Sequence, residues 1–243
     1  MDDDTRYPEI LPVGEDSVLV QYEPEVSREV NKRVISLTNG LRQLKEPAIR
    51  EIVPAYRSLM IYFDPFSLEL SRLLAIVDDT LSNLDHISLP QPRLFSLPTV
   101  YGGEFGPDLE SISQKTGLSA SEIIRIFSET IYPVYCLGFM CGLAYMGGVP
   151  EKIQVPRLDS PRPKMPAGSV GFAGPQANVL PITTPSGFNY IGRTFVTLYD
   201  PQKSPPTMIQ AGDYIQCPAV SEDVARRAGE TGIEDCVEIH QDH

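Results

Sequence analysis

The sequence predicts a small α+β domain over residues 1–88, followed by a compact β-barrel over 93–220. Three observations predict this. As far as residue 84, apolar positions switch between two-residue and three-to-four-residue spacing. Pro90, Pro92 and Pro98 then interrupt the chain, as in a linker or an extended strand. Beyond them Gly and Pro punctuate short β-type runs, the pattern of a barrel, with one strong helix among them.

The N-terminal elements follow in order. Ile10, Val13, Val18, Val20 and Tyr22, split by Gly14-Glu15-Asp16, predict a β-hairpin. Val26, Val30, Val34, Leu37, Leu41 and Leu44 recur every three or four residues, an amphipathic helix. Residues 49–56 and 58–63 predict two strands joined by a short turn. Leu68, Leu70, Leu73, Leu74, Ile76, Val77 and Leu81 return to helical spacing. Hairpin, helix, hairpin, helix is the order of an antiparallel sheet with helices on one face.

In the second half, residues 108–113 start a short helix that Gly117 ends. Ser119 and Glu122 form a capping box ahead of Ile123, Ile124 and Ile126, so a helix runs over about 119–129. Residues 214–217 predict a last strand. Residues 221–243 are polar and predict a poorly packed tail or an added helix.

Charge narrows the function. The net charge of −12 repels phosphate backbones, which disfavours nucleic-acid and anionic-membrane roles. Asp2, Asp3 and Asp4, with Glu230, Glu234, Asp235, Glu238 and Asp242, read as solvated ends. No apolar run approaches the ~18 residues of a membrane span, and the Asp-rich start is not a signal peptide. Cys136, Cys141, Cys217 and Cys236 are irregularly spaced, and the three histidines, at 86, 240 and 243, lie far from them. Free cytoplasmic thiols and no metal centre are expected. With His86 alone outside the tail, a Ser-His-Asp or Cys-His pair is hard to build. Phosphate-loop and dinucleotide fingerprints are absent.

An ordered motif series fills the second half. It runs from Tyr101-Gly102-Gly103-Glu104-Phe105-Gly106-Pro107-Asp108 to Tyr132-Pro133-Val134-Tyr135 and Gly138-Phe139. It continues through Tyr145-Met146-Gly147-Gly148, Pro156-Arg157, Pro161-Arg162, Pro166-Ala167-Gly168-Ser169-Val170-Gly171-Phe172 and Gln176. Ile191-Gly192-Arg193-Thr194 and Ala211-Gly212-Asp213 close it. This series resembles the family of the 5-oxoprolinase B subunit and allophanate hydrolase subunit 1, whose relatives include the urea-carboxylase carboxyltransferase region and the sporulation-kinase inhibitor. The resemblance implies a cyclophilin-like β-barrel behind the α+β domain. It also implies a homologous barrel subunit as partner, and ATP-dependent opening of a small cyclic amide. Any ATP would enter through a partner subunit, and no cofactor is expected in this chain.

Within those motifs, Arg157, Arg162 and Arg193 are planar bidentate donors suited to a carboxylate. Ser169 either lines a pocket or belongs to a plain β-turn. Gln176 presents an amide to a polar ligand or stabilises a turn. Tyr135 and Tyr145 are weak acids or packing residues. Glu104 and Asp108 are each a general base or a helix cap.

The chain also departs from the family pattern. Phe127 stands where the family carries His before Tyr132-Pro133-Val134-Tyr135. Residues 138–145 lack two prolines and one Phe of the usual loop, and Pro185-Ser186-Gly187-Phe188 replaces Pro-Gly-Gly-Trp. Such changes fit a pocket retuned for a more apolar substrate, or a barrel kept as a binding module. Two alternatives therefore stand beside the amidohydrolase subunit. One is a stand-alone barrel enzyme of specialised metabolism that needs no ATP. The other is a non-enzymatic binding protein of the kinase-inhibitor kind.

Overall fold

The computed structural model describes residues 7–240, in two compact units divided between Pro90 and Gln91. In the first unit, β1 (Glu9–Val13) and β2 (Ser17–Gln21) form the expected hairpin. α1 (Arg28–Leu44), β3 (Ile49–Pro54), β4 (Ser58–Phe63) and α2 (Leu70–Ser82) follow. The sheet is antiparallel, in the order β1-β2-β4-β3. Ser27 caps α1 by accepting from the Val30 N–H at 3.3 Å. Period-two spacing puts Val18 and Val20 on the same sheet face as Leu59, Ile61 and Phe63. Val34, Leu37 and Leu41 of α1, with Leu73 and Val77 of α2, pack on that face.

The second unit begins with β5 (Arg93–Ser96), inside the proline-rich stretch read as a linker or an extended strand. β6 (Thr99–Tyr101), α3 (Leu109–Thr116) and α4 (Ala120–Glu129) come next. α3 ends at Gly117 in the left-handed conformation, at φ 72°. α4 begins with the predicted capping box, Ser119 and Glu122 each satisfying the other's backbone N–H. Ser119→Ala is expected to cost about 1 kcal/mol in urea unfolding; no measurable loss would mean the box is idle.

The strands then run β7 (Tyr132–Leu137), β8 (Ala144–Met146), β9 (Arg162–Met165), β10 (Ser169–Ala173), β11 (Gln176–Val179), β12 (Thr184–Ser186), β13 (Asn189–Thr194) and β14 (Tyr214–Gln216). After them come α5 (Glu222–Thr231) and β15 (Val237–Ile239). Nine strands form one curled half-barrel sheet in the order β15-β5-β14-β7-β8-β11-β10-β13-β6. β9 and β12 pair separately.

Residues 221–243, read from composition as a poorly packed tail or an added helix, carry α5. Beyond it β15 pairs antiparallel with β5, and Ile233 and Cys236 enter the main core. One buried Ala225 anchors α5.

Two apolar clusters lie on the sheet. The larger joins Val134, Met146, Val170, Phe172, Ala177 and Ile191 to Ile112, Ile123 and Phe127 of the helices. Phe127 is fully buried, stacked on Phe172 at 5.6 Å between centroids and tilted on Tyr132 at 4.9 Å. The family-divergent residue is thus a core residue, and its identity reports on packing. No helix among the described residues is long and apolar enough to cross a membrane.

Candidate functional site

Strand alternation turns a second set of side chains away from the main core. Leu143 and Tyr145 flank Ala144 and Met146 on β8 and its approach, while Asn178 and Leu180 alternate with Ala177 and Val179 along β11. Leu143, Met165, Ala173, Leu180, Phe188 and Tyr190 form a small apolar cluster, against which Met140 and Tyr145 pack. Polar groups are built into it. Tyr190 is fully buried, and its hydroxyl lies 2.7 Å from Ser186 Oγ. Burial pushes its phenol up to about 12, with Ser186, Asn178 and Arg157 opposing that rise and Asp108 adding to it. Tyr190 is therefore a protonated hydrogen-bonding group at neutral pH.

Arg157 is exposed, its guanidinium 4.9 Å from the centroid of the Phe188 ring. Tyr145 beside it has its phenol raised by burial and by Cys136, against the pull of Arg157. Arg162 is committed elsewhere. Its Nη1 donates to Asp108 Oδ2 at 2.8 Å and its Nη2 to Asp108 Oδ1, while the Tyr190 N–H donates to the same carboxylate at 2.7 Å. The pair straps β9 to the start of α3 and, through the Tyr190 backbone N–H, to β13.

The remaining sequence candidates divide. Gln176 opens β11 on the strand that carries Asn178. Tyr135 is buried in β7 and packs over Gly147, where a Cβ would lie 2.2 Å from its ring. Ser169 is buried, its hydroxyl donating to the Pro166 carbonyl at 2.8 Å. Next to it Gly168, at φ 80°, lies so near Thr194 that a Cβ would meet that carbonyl oxygen at 2.0 Å. The segment 166–169 is accordingly a tight turn. Arg193 supports this turn, its Nε donating to the Ala167 carbonyl at 3.0 Å and its guanidinium stacking over Phe195 at 5.2 Å. Glu104 is exposed on the 3-10 turn Gly103–Phe105. The fold brings Tyr145, Arg157 and, through Asp108, Arg162 around Tyr190; Ser169 and Arg193 belong to the turn. Among the described residues, no three His, Cys, Asp or Glu side chains gather as metal ligands.

Residues 8–209 match the family of carboxyltransferase domains, subdomains C and D. The chain belongs to this family. The 5-oxoprolinase B subunit of Bacillus subtilis (strain 168) is 35% identical over 227 residues, covering 89% of this chain and 94% of that protein. The 5-oxoprolinase B subunit of Escherichia coli O157:H7 is 34% identical over 205 residues, covering 84% and 92%. The crystal structure of TTHA0988 superposes with a TM-score of 0.74 at 29% identity, covering 84% of this chain and 40% of that one. This chain therefore spans about two-fifths of the length of TTHA0988.

In this carboxyltransferase-domain chain the departures from the family motifs fall into two places. Phe127 lies in the main core, whereas Met140, Leu143 and Phe188 surround Tyr145 and Tyr190. Sequence reasoning missed Tyr190, Asn178, Ser186 and the Asp108–Arg162 bond as parts of one site. Tyr190 stands two residues after the changed Pro185-Ser186-Gly187-Phe188 segment, and that clustering of departures is the signal that points to it.

The thiols give a simple test of burial. Cys141 is exposed, while Cys136, Cys217 and Cys236 are buried. Burial pushes the Cys136 thiol up to about 11 and Cys217 up to about 12. With a thiol-reactive dye at pH 8, one thiol is expected to react promptly in the folded protein, and the other three after denaturation. Two or more fast thiols would contradict the packing of these strands.

Proposed function

We propose that this chain is a subunit of an ATP-dependent amidohydrolase of the 5-oxoprolinase type, opening a small cyclic amide together with a homologous barrel subunit. The observation that carries this reading is the 35% identity to a 5-oxoprolinase B subunit across 94% of that protein's length. In this reading the half-barrel is the cyclophilin-like barrel of the family, and the chain's domains are 1–88 and 93–220. Support for the barrel comes from the motif series, which lies along that sheet and its loops.

The chemistry of the second cluster fits the substrate class. Arg157 presents a charged, half-stacked guanidinium that takes the substrate carboxylate. Tyr145 stays protonated at neutral pH and donates to a substrate oxygen. Gln176 adds an amide from the same strand as Asn178, and Tyr135 braces the wall through Gly147. Glu104, exposed on its turn, is the candidate general base, meeting substrate where the partner subunit completes the site. Ser169, Arg193 and Arg162 position the surrounding turns. Ring opening breaks the lactam C–N bond and adds water across it, with ATP entering through the partner.

Purification from the native host tests the assembly. A second barrel subunit in fixed ratio, with ATP-dependent release of glutamate from 5-oxoproline, is expected. Isolation of the chain alone with no such release by the reconstituted mixture would refute the reading. Arg157→Ala is expected to weaken 5-oxoproline binding at least tenfold, the scale of one charge-assisted hydrogen bond, with folding intact. Unchanged affinity would remove Arg157 from the site.

A second reading is favoured by the apolar lining of Leu143, Met165, Leu180 and Phe188. It is a stand-alone enzyme acting on a more apolar substrate. Turnover of a hydrophobic cyclic amide by the purified chain without ATP would select it.

A further inference from the structure

Asn178, Gly171 and Tyr190 form one row across β11, β10 and β13, because Gly171 is the registered partner of both others. Gly171 has no side chain, and the Tyr190 ring occupies the space. A Cβ on Gly171 would lie 2.7 Å from Tyr190 Cδ1. The Tyr190 hydroxyl thereby meets Ser186 Oγ at 2.7 Å, with the Asn178 side chain near enough to oppose the rise of its phenol. Ser186 Oγ accepts in addition from the Phe188 N–H at 3.3 Å.

Counting hydrogens in this row leaves two groups over. The Tyr190–Ser186 pair holds two hydroxyl hydrogens, and their mutual bond uses one, so one O–H is left to donate. Asn178 is 4% exposed, and its Oδ1 is buried with no hydrogen-bond partner among the described residues. The amide thus leaves one buried acceptor unpaired. A fold rarely keeps a buried acceptor unpaired without a use for it.

We propose that Asn178 Oδ1 and the spare hydroxyl hydrogen of the Ser186–Tyr190 pair form an acceptor–donor couple that reads a cis secondary amide, with Asn178 as its specificity-determining residue. The proposal rests on the cyclic-amide reading above. A small ring forces the amide cis, so its N–H and C=O stand side by side, whereas an open-chain amide is almost always trans. The N–H meets Asn178 Oδ1, and the C=O meets the hydroxyl. Ser186 is half-buried and gives the couple its open end. A lactone of the same shape offers a second acceptor where Asn178 needs a donor, leaving the buried oxygen unpaired.

The test is calorimetric binding to the full chain, alone and with its partner barrel subunit. The probes are 5-oxoproline and the matching lactone, 5-oxotetrahydrofuran-2-carboxylate. Wild type is expected to prefer the lactam at least tenfold. Asn178→Leu, of similar volume, should bring the preference close to one. Ser186→Ala, at a half-buried position that tolerates truncation, should weaken both ligands together and leave the preference intact. A lactam preference retained in Asn178→Leu, or Ser186→Ala with both affinities unchanged, overturns the couple while the cyclic-amide reading stands. Wild type that binds neither probe in either preparation overturns that reading and the couple with it.

Discussion

Phe127→Ala is expected to lower the unfolding free energy by about 3–5 kcal/mol, the range for truncating a buried phenylalanine. The ring is fully buried, stacked on Phe172 and tilted on Tyr132, with Tyr101 edge-on at 6.3 Å. These neighbours come from β6, β7 and β10, so the void cannot close by moving one side chain. The backbone is held too, since Tyr132 Oη donates to the Phe127 carbonyl at 3.0 Å. Phe127→Leu, which keeps most of the volume, should lose clearly less. The chain has no tryptophan, so urea unfolding is best followed by circular dichroism or tyrosine fluorescence. A loss below about 1.5 kcal/mol for Phe127→Ala would show that the aromatic stack is not a rigid part of the core. The same burial bears on function. A histidine here would face aromatic rings, and desolvation would disfavour its charged form. Any proton transfer in this chain would therefore depend on residues other than the one at 127.

What could be read from the sequence follows from how local each feature is. α1 and α2 each carry a full apolar stripe, so spacing alone places them within a few residues. The box pairs Ser119 with Glu122, three positions on, and marks the start of α4. Several strands of the half-barrel sheet are three residues long and find partners far away, as β6 does with β13. Such strands carry too few positions for a period. The candidate site depends on register, which is less local still. The row of Asn178, Gly171 and Tyr190 exists because a bulge between Val170 and Gly171 shifts the pairing with β13. Nothing near Asn178 in the chain announces that shift. Ser169 shows the converse: its motif is conspicuous, yet its hydroxyl closes the turn that the motif encodes. Arg162 was legible as a bidentate donor, but its acceptor stands 54 positions earlier at Asp108.

That distant bond carries the second large expectation. Asp108→Ala should cost about 2–4 kcal/mol, somewhat under the 3–5 kcal/mol typical of breaking a fully buried pair. Asp108 is 3% exposed, but the Arg162 side chain is 32% exposed and can turn partly to water, which discounts the charge left behind. The Tyr190 N–H has no such escape and loses its acceptor. Arg162→Ala removes the other partner and strands a carboxylate that keeps only the Tyr190 N–H, so a loss of similar size is expected. Because each single change already breaks the bond, the double variant should lose much less than the sum of the two. Additive losses would show that the contact contributes nothing to stability. The effect should also reach the ligand. Asp108 holds β9 beside β13, where Tyr190 meets Ser186 and Asn178, so loosening that strap is expected to weaken 5-oxoproline binding in both variants even where folding is complete. Arg162→Lys separates the two roles open to Arg162. A lysine restores a positive charge for a substrate carboxylate but cannot make the paired bond to Asp108. If Arg162 acts through Asp108, Arg162→Lys should bind as weakly as Arg162→Ala; recovered affinity would return Arg162 to direct contact with the anion.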